Sequence, residues 1–204
     1  MNEQPVFFNQ ETSGLEGLYA HTEGAMGAVI SHPHSLMGGD MRNPVVETLS
    51  RTIFAAGIST LRFNFRGVGR SAGVFDEGRG EQKDVLAAIS FMEEQGMREI
   101  LLAGYSFGAW VNAAVIARSN LLPAIFVAPP IDLLAFDFAS LQGKVGLIIC
   151  GDRDQYCPPD KIKIAISNIS CHLDIIPHAD HFFMAKEKEL ALSIQAFVKD
   201  LRPS

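Results

Sequence analysis

The sequence is poor in cysteine and contains neither a long hydrophobic run nor a basic cluster. Its three cysteines, Cys150, Cys157 and Cys171, form no Cys-x-x-Cys pair, which favours reduced thiols over a disulfide framework. No stretch approaches the roughly 18 consecutive apolar residues that a membrane-spanning helix needs. The N-terminus has neither the basic region nor the apolar segment of a signal peptide. We therefore expect a cytoplasmic protein with no membrane partner.

Charge and metal-ligand patterns argue against two further classes of protein. The formal net charge is −6 and the basic residues are dispersed, so nucleic acid is not expected as a partner. Cys171 and His172 lie close in sequence to His178 and His181, but their spacings match no familiar structural zinc site. We therefore expect no metal site.

What the sequence does contain is a regular alternation of short apolar runs and amphipathic segments. The 204 residues, 48% of them hydrophobic, suffice for a single domain over 1–204 with a sizeable core. The alternation predicts an α/β fold: a mostly parallel sheet of about eight strands with helices on both faces. A polar turn at 12–14 predicts an antiparallel N-terminal hairpin. The predicted strands are 6–10, 15–20, 25–32, 59–65, 98–103, 124–127, 145–150 and 173–176, and the predicted helices are 44–56, 81–95, 109–117, 158–167 and 184–201.

The connections between these segments are short, which leaves little room for a large cap domain. The apolar stretch 131–141 is ambiguous. It could form a small cover, although we favour a buried crossover. An exposed strand at the edge of the sheet could support a homodimer.

The most informative motif is the Gly-Tyr-Ser-Phe-Gly pentapeptide at 104–108. It follows the strand-like run 98–103 and precedes the helix-like run 109–117. A serine at the apex of a strand–turn–helix unit is typical of a nucleophile elbow. There the hydroxyl of Ser106 would sit at the positive end of a helix, where an oxyanion is stabilised. The flanking runs disfavour the alternative, a glycine-rich turn with an ordinary surface serine.

A serine hydroxyl needs a base to accept its proton and an acid to orient that base. Functional groups collect at the C-terminal ends of strands in such sheets, so both groups are expected in loops after later strands. Asp152 and Asp154 both follow the strand 145–150. We favour Asp154, which lies farther out, before a proline-led helix. The alternative for Asp152 is a carboxylate that caps its own loop.

The base is expected after the strand 173–176, where His178 and His181 both occur. We favour His181 because it lies just before the last helix and is flanked by aromatic residues that could hold its ring. His178 is the alternative.

Two backbone N–H groups are expected to hold the oxyanion. One belongs to Phe107, which follows the predicted nucleophile, and the other to the loop after the third strand. Pro33 has no N–H. We therefore favour the backbone N–H of His34, with Ser35 and Leu36 as alternatives.

Together these segments resemble the α/β-hydrolase superfamily over nearly the whole chain. Ser106, Asp154 and His181 occur in the order of that family's catalytic triad, and the segment 61–71 is similar to its Arg-Gly-x-Gly-x-Ser segment. The His-Pro-His sequence at 32–34 is similar to a group of small, lidless bacterial hydrolases related to dienelactone hydrolases and esterases.

The chain departs from that pattern in two places. Serine stands at the elbow where dienelactone hydrolases use cysteine, which disfavours a dienelactone substrate. Cys157 stands where valine is common and is expected to be a small buried filler.

The resemblance implies a serine hydrolase that cleaves carboxylic esters or thioesters of small acyl groups through an acyl-enzyme. Ser106 would be the nucleophile, His181 the base and Asp154 its orienting acid, with the N–H groups of Phe107 and His34 as the oxyanion hole. The expected partner is a small-molecule ester or thioester, and this mechanism requires no cofactor. Two rivals stay open: a serine peptidase or amidase of the same fold, and a non-catalytic binding protein on a hydrolase fold.

Two groups of residues near these motifs have both a structural and a functional interpretation. Arg66 and Arg70 could bind an acidic substrate group, but we favour a structural pairing of Arg66 with a carboxylate such as Asp84. Trp110 and the segment 136–138 could line an acyl pocket, although core packing is favoured.

Overall fold

Eight strands form one mixed sheet in the computed structural model, which describes residues 1–9, 14–116 and 121–201. The strands are β1 (Gln4–Phe8), β2 (Leu15–Ala20), β3 (Met26–Ser31), β4 (Ser59–Phe63), β5 (Glu99–Tyr105), β6 (Leu121–Val127), β7 (Val145–Gly151) and β8 (His172–Ile176). The α-helices are α1 (Pro44–Ala55), α2 (Arg79–Glu94), α3 (Phe107–Val115), α4 (Pro159–Ala165) and α5 (Glu187–Asp200), and short 3₁₀ turns occur at Ser35–Met37 and Phe138–Leu141.

The strands follow the order β1-β2-β4-β3-β5-β6-β7-β8 across the sheet. β1 pairs with β2, and β2 with β4, in antiparallel fashion, while the other neighbours are parallel. The predicted α/β fold with its antiparallel N-terminal hairpin and no large cap domain is thereby confirmed. Most of the predicted hairpin turn lies outside the described residues. The assignment of 1–204 to one domain stays a prediction.

Helices cover both faces of the sheet, so each central strand is buried on both sides. Along β5, Ile100 and Leu102 join the apolar cluster under α2 and α3, whereas Leu101 and Ala103 join the cluster under α1 and α5. This is the period-two alternation of a strand. Burial on both faces explains why the parallel strands read as continuous apolar runs in the sequence.

Two helices begin as local capping chemistry requires. The side chain of Asn43 accepts a hydrogen bond from the Val45 N–H at 3.0 Å, and Pro44 occupies the first turn of α1, as predicted. α2 begins at Arg79, two residues before the predicted start. The Glu81 carboxylate lies inside the first turn and accepts a hydrogen bond from the Gly78 N–H at 2.8 Å. This bond caps the helix at Gly78, ahead of the predicted start.

Other boundaries differ from the prediction for backbone reasons. α5 begins at Glu187 and not at 184, because Phe183 and Ala185 have positive φ angles that no α-helix tolerates. β6 begins at Leu121 and runs through Pro123, and its register with both neighbouring strands shifts there. A register shift is where a strand can accommodate a residue that has no N–H to donate.

Within the described ranges, no helix combines the length and the apolar character needed to cross a membrane.

Candidate active site

The predicted nucleophile elbow is present between β5 and α3. Ser106 has φ 53° and ψ −118° and caps the N-terminus of α3, a backbone conformation that costs a non-glycine residue about 1–3 kcal/mol. A Cβ at Gly104 would lie 2.6 Å from the Ala109 nitrogen, and one at Gly108 would lie 2.4 Å from the Ser31 oxygen. The two glycines are therefore required by close backbone approach. The second lets α3 pack against the end of β3.

The structure brings Ser106, His181 and Asp154 into one hydrogen-bonded chain. The Ser106 Oγ lies 3.0 Å from the His181 Nε2. The His181 Nδ1 lies 2.9 Å from one carboxylate oxygen of Asp154 and 3.0 Å from the other. Since an ionised carboxylate only accepts, Nδ1 carries the proton and Nε2 is free to accept the serine proton. All three side chains are buried.

Backbone groups of its own loop hold the Asp154 carboxylate in place. Its Oδ1 accepts hydrogen bonds from the N–H groups of Tyr156 at 2.8 Å and Cys157 at 2.9 Å. The loop between β7 and α4 therefore fixes the Asp154 carboxylate through contacts that do not involve His181. Cys157 is fully buried within the apolar cluster that also contains Cys150, as expected for a filler.

Aromatic residues surround the His181 ring. Tyr156 and Phe182 make edge contacts with it at centroid distances of 4.9 and 5.6 Å. The Tyr105 hydroxyl donates a hydrogen bond to the His181 carbonyl at 2.9 Å. Burial, and then the nearby charges of Asp154 and Asp180, raise the pKa of Tyr105, so its phenol stays a donor at neutral pH. The sequence motif has any residue at position 105 and gave no sign of this role.

The alternative acid and base lie away from the serine. Asp152 and His178 are both exposed, and the His178 Nδ1 lies 2.9 Å from a guanidinium nitrogen of Arg153. His178 has a positive φ of 60°. These residues shape the surface of the loop and do not join the chain of hydrogen bonds at the elbow.

The two expected oxyanion donors border the same pocket as Ser106. Phe107 is the first residue of α3, and His34 lies three residues beyond the end of β3. Among the described residues, no protein group accepts the N–H of either. The His34 carbonyl accepts hydrogen bonds from Met37 and Gly39, and its ring packs on Phe107 at 4.9 Å.

His32 is a fully buried histidine at the base of this loop, and no role for it was predicted from the sequence. Its Nδ1 donates to the Pro33 carbonyl at 2.7 Å, and its Nε2 accepts from the Phe65 N–H at 3.0 Å. Burial lowers the pKa of His32 to about 4, against smaller raising effects of the Pro33 hydrogen bond and Asp40. The bond to Phe65 also explains why β4 ends at Phe63 and not at 65.

The lowered pKa of His32 predicts that the free energy of unfolding falls as the pH is lowered. In the unfolded chain His32 binds a proton near pH 6.5, but in the folded protein only near pH 4. The contribution of neutral His32 to the free energy of unfolding is therefore fully present above pH 6.5. It is lost as the pH falls towards 4, which lowers the free energy of unfolding by about 2–3 kcal/mol. Urea unfolding at pH 7.5 and 4.5 measures this. His32→Gln cannot titrate and should lose correspondingly less stability. If the native protein and His32→Gln lost the same free energy of unfolding between the two pH values, the assignment of this effect to His32 would be contradicted.

An apolar pocket of about 480 Å³ opens beside Ser106. Among the described residues, no Asp, Glu, Lys or Arg lines it. Its lining residues are Pro33, His34, Met37, Gly38, Gly39, Asn43, Tyr105, Ser106, Phe107, Pro130, Leu133, Leu134, Tyr156, His181 and Phe182.

The segment 131–141 is not the buried crossover that we favoured. Leu133 is 64% exposed and lines the pocket together with Leu134, so this segment forms one wall of the site. Trp110 lies outside the pocket lining, and its indole N–H donates to the Ala135 carbonyl at 2.9 Å. It therefore fastens the wall to α3.

Neither arginine considered as an anion site faces the pocket. Arg66 makes a two-pronged contact with the buried carboxylate of Asp84, at 2.7 and 3.0 Å, which confirms the structural pairing. The guanidinium of Arg70 lies over the Phe7 ring at 4.5 Å.

The predicted triad and the two expected oxyanion donors follow the C-terminal ends of β3, β5, β7 and β8, at one edge of the sheet.

Relatives of this chain are found among known proteins. No family model matches the chain. An uncharacterized protein of Rickettsia prowazekii is 33% identical over an alignment of 208 positions that spans 95% of this chain and 87% of that protein.

Solved structures resemble the chain over nearly its whole length. An α/β serine hydrolase homologue from Coxiella burnetii is 35% identical, with a TM-score of 0.87, over 96% of this chain and 97% of that one. An α/β serine hydrolase without a lid from Xanthomonas campestris is 31% identical, with a TM-score of 0.90, over 100% of this chain and 97% of that one. Sequence identity above 30%, full-length coverage and the shared sheet together mean that this chain belongs to the α/β-hydrolase superfamily.

Proposed function

We propose that this protein is a serine hydrolase that cleaves carboxylic esters or thioesters of small acyl groups. The observation that carries the proposal is the hydrogen-bonded chain of Ser106, His181 and Asp154 at the elbow, with the serine facing an apolar pocket. A strained elbow that holds a buried serine against a histidine has a clear use in nucleophilic catalysis.

The first half-reaction transfers the acyl group to the serine. The His181 Nε2 takes the Ser106 proton as Oγ bonds to the substrate carbonyl carbon, and the carbonyl electrons move onto oxygen. The N–H groups of Phe107 and His34 then hold the oxyanion. When the tetrahedral intermediate collapses, the bond to the leaving oxygen or sulfur breaks, and His181 gives its proton to the departing alcohol or thiol.

The second half-reaction releases the acid. His181 removes a proton from water, and the resulting hydroxide attacks the acyl carbon. Collapse of the second intermediate breaks the bond to Oγ, and the proton on His181 returns to Ser106. Throughout, Asp154 keeps Nδ1 protonated and stabilises the imidazolium.

A fluorophosphonate tests the activated serine directly. Intact mass after incubation should show one adduct per chain on the native protein, and peptide mapping should place it on Ser106. Heat-denatured protein is the control, because it contains the same serines without their neighbours. If the folded protein takes no label, the non-catalytic rival is favoured.

We expect the enzyme to prefer an uncharged acyl chain. The described lining residues offer no charged partner for a carboxylate. Moving an unpaired carboxylate from water into an apolar pocket costs several kcal/mol of desolvation free energy. The p-nitrophenyl ester of pentanoic acid should therefore exceed the mono-p-nitrophenyl ester of glutaric acid in kcat/KM by about 50-fold or more.

A matched pair of variants locates this preference. Leu133→Arg places a cation at the pocket wall and should lower the ratio of the two kcat/KM values about tenfold. Leu192→Arg places the same cation at an exposed position on α5 and should leave the ratio unchanged. Equal kcat/KM for the two esters on the native protein would contradict the expectation.

The same pocket separates the esterase from the peptidase rival. A peptidase that recognises a free amino terminus needs an acidic group near the serine, and none occurs among the described lining residues. Comparable turnover of a butyryl p-nitrophenyl ester and the corresponding p-nitroanilide would favour the rival.

A further inference from the structure

The His32 ring is placed between two backbone groups that belong to different parts of the site. Nδ1 lies 2.7 Å from the Pro33 carbonyl oxygen, and Nε2 lies 3.0 Å from the Phe65 nitrogen. The ring also makes an edge contact with Phe65, at a centroid distance of 4.7 Å. The side chain is fully buried, so solvent supplies no competing partner.

These two contacts define the protonation state of the ring. A carbonyl oxygen only accepts, so Nδ1 must carry a hydrogen, and an amide N–H only donates, so Nε2 must be bare. His32 is therefore a neutral imidazole with its proton on Nδ1. Because both ring nitrogens are used, the ring cannot rotate or change tautomer without the loss of a buried hydrogen bond.

The carbonyl that His32 holds belongs to the same peptide unit as the His34 N–H. This peptide is trans and planar, so the C=O and the N–H point in opposite directions. A donor fixed on the Pro33 oxygen thereby fixes the direction of the His34 N–H on the other edge of the unit.

A second contact restrains the same peptide. A Cβ at Gly39 would lie 2.2 Å from the Pro33 oxygen, so the backbone of Gly39 packs directly against that carbonyl. The Gly39 N–H also donates to the His34 carbonyl at 3.1 Å. The Pro33 carbonyl therefore contacts both the His32 ring and the Gly39 backbone.

We propose that His32 is a positioning residue that sets the orientation of the His34 N–H for oxyanion binding by clamping the Pro33 carbonyl. This inference rests on the proposed hydrolase function and adds a residue that contacts neither the substrate nor the reacting atoms. A donor that is already aimed needs no reorganisation when charge develops, so the clamp acts on the transition state more than on substrate binding.

Two substitutions separate the clamp from simple structural support. The amide nitrogen of asparagine lies as many bonds from Cα as Nδ1, so His32→Asn keeps a donor for the Pro33 oxygen and loses the acceptor for Phe65. The amide of glutamine corresponds to Nε2, so His32→Gln keeps the acceptor and loses the clamp. Each variant gives up one buried hydrogen bond, and comparable losses of stability are expected.

The test measures kcat and KM for p-nitrophenyl butyrate, with active sites counted by fluorophosphonate titration. His32→Gln should lose about 100-fold in kcat per titrated site with KM changed less than threefold, because removal of one oxyanion donor costs about 10²–10³ in kcat. His32→Asn should stay within about fivefold of the native kcat. Gly39→Ala, whose added Cβ would lie 2.2 Å from the same carbonyl oxygen and displace it, should reproduce the effect of His32→Gln.

Each outcome decides the question. Equal loss in both His32 variants, or no loss per titrated site in His32→Gln, would overturn the clamp and leave His32 a purely structural residue. Nitrogen NMR of the imidazoles gives a readout without turnover, since a native His32 with its proton on Nε2 would also overturn it. If the native protein neither takes the label nor cleaves the ester, the proposed function fails first, whatever tautomer His32 has.

Discussion

Ser106→Ala is expected to lower kcat for p-nitrophenyl butyrate at least about 10⁵-fold and to abolish the fluorophosphonate adduct. The elbow gives this serine an orientation toward the His181 Nε2, at 3.0 Å, that no other described side chain shares. Without Oγ no acyl-enzyme forms. What remains is a pocket with oxyanion donors, which accelerates direct attack by water far less than the intact triad accelerates acyl transfer.

The matched control is Ser90→Ala on the exposed side of α2, which removes a hydroxyl far from the elbow. It should take the label and cleave the ester as the native protein does. Persistent turnover in Ser106→Ala, at more than a thousandth of the native rate, would assign the activity to another nucleophile.

Asp154→Asn is expected to lower kcat about 10⁴-fold while the protein stays folded. The Oδ1 of Asp154 accepts from Tyr156 and Cys157, and an amide oxygen can take over both bonds. The amide nitrogen then faces the His181 Nδ1 and donates to it. This stabilises the tautomer with the proton on Nε2, which cannot accept the proton of Ser106.

Asp152→Asn is the control for this prediction. It makes the same chemical change two residues away in the same loop, at an exposed carboxylate. Its kcat should stay within twofold of the native value. A comparable loss in both variants would point to the net charge of the loop and not to the tautomer of His181. Imidazole NMR of the Asp154→Asn protein would show the reversed tautomer independently.

Local chemistry explains why so much of this site was predictable. Ser106, Asp154 and His181 each follow a strand whose apolar run is visible in the sequence, and parallel strands bring their C-terminal ends together. The hairpin, the sheet and the start of α1 at Asn43 depend on short-range patterns of the same kind. The catalytic roles of these residues stay proposals until the variants are measured.

What the sequence did not show depends on contacts between distant segments. The Nε2 of His32 has a partner because the end of β4 brings the Phe65 N–H to it from 33 positions away in the sequence. Tyr105 supports the His181 carbonyl across 76 positions of sequence. The segment 131–141 is apolar whether it fills a core or lines a pocket, so composition alone could not separate the two.

The gathering of every proposed catalytic group at one edge of the sheet has an evolutionary consequence. The turns at the opposite edge, around Gly57, Gly96 and Gly143, carry none of the chemistry and serve to reverse the chain. Selection for a new substrate can therefore act on the wall at 131–141 while selection for folding acts on those turns. The two pressures fall on different residues, so the substrate range of such a scaffold can diverge among lineages without a redesign of its sheet.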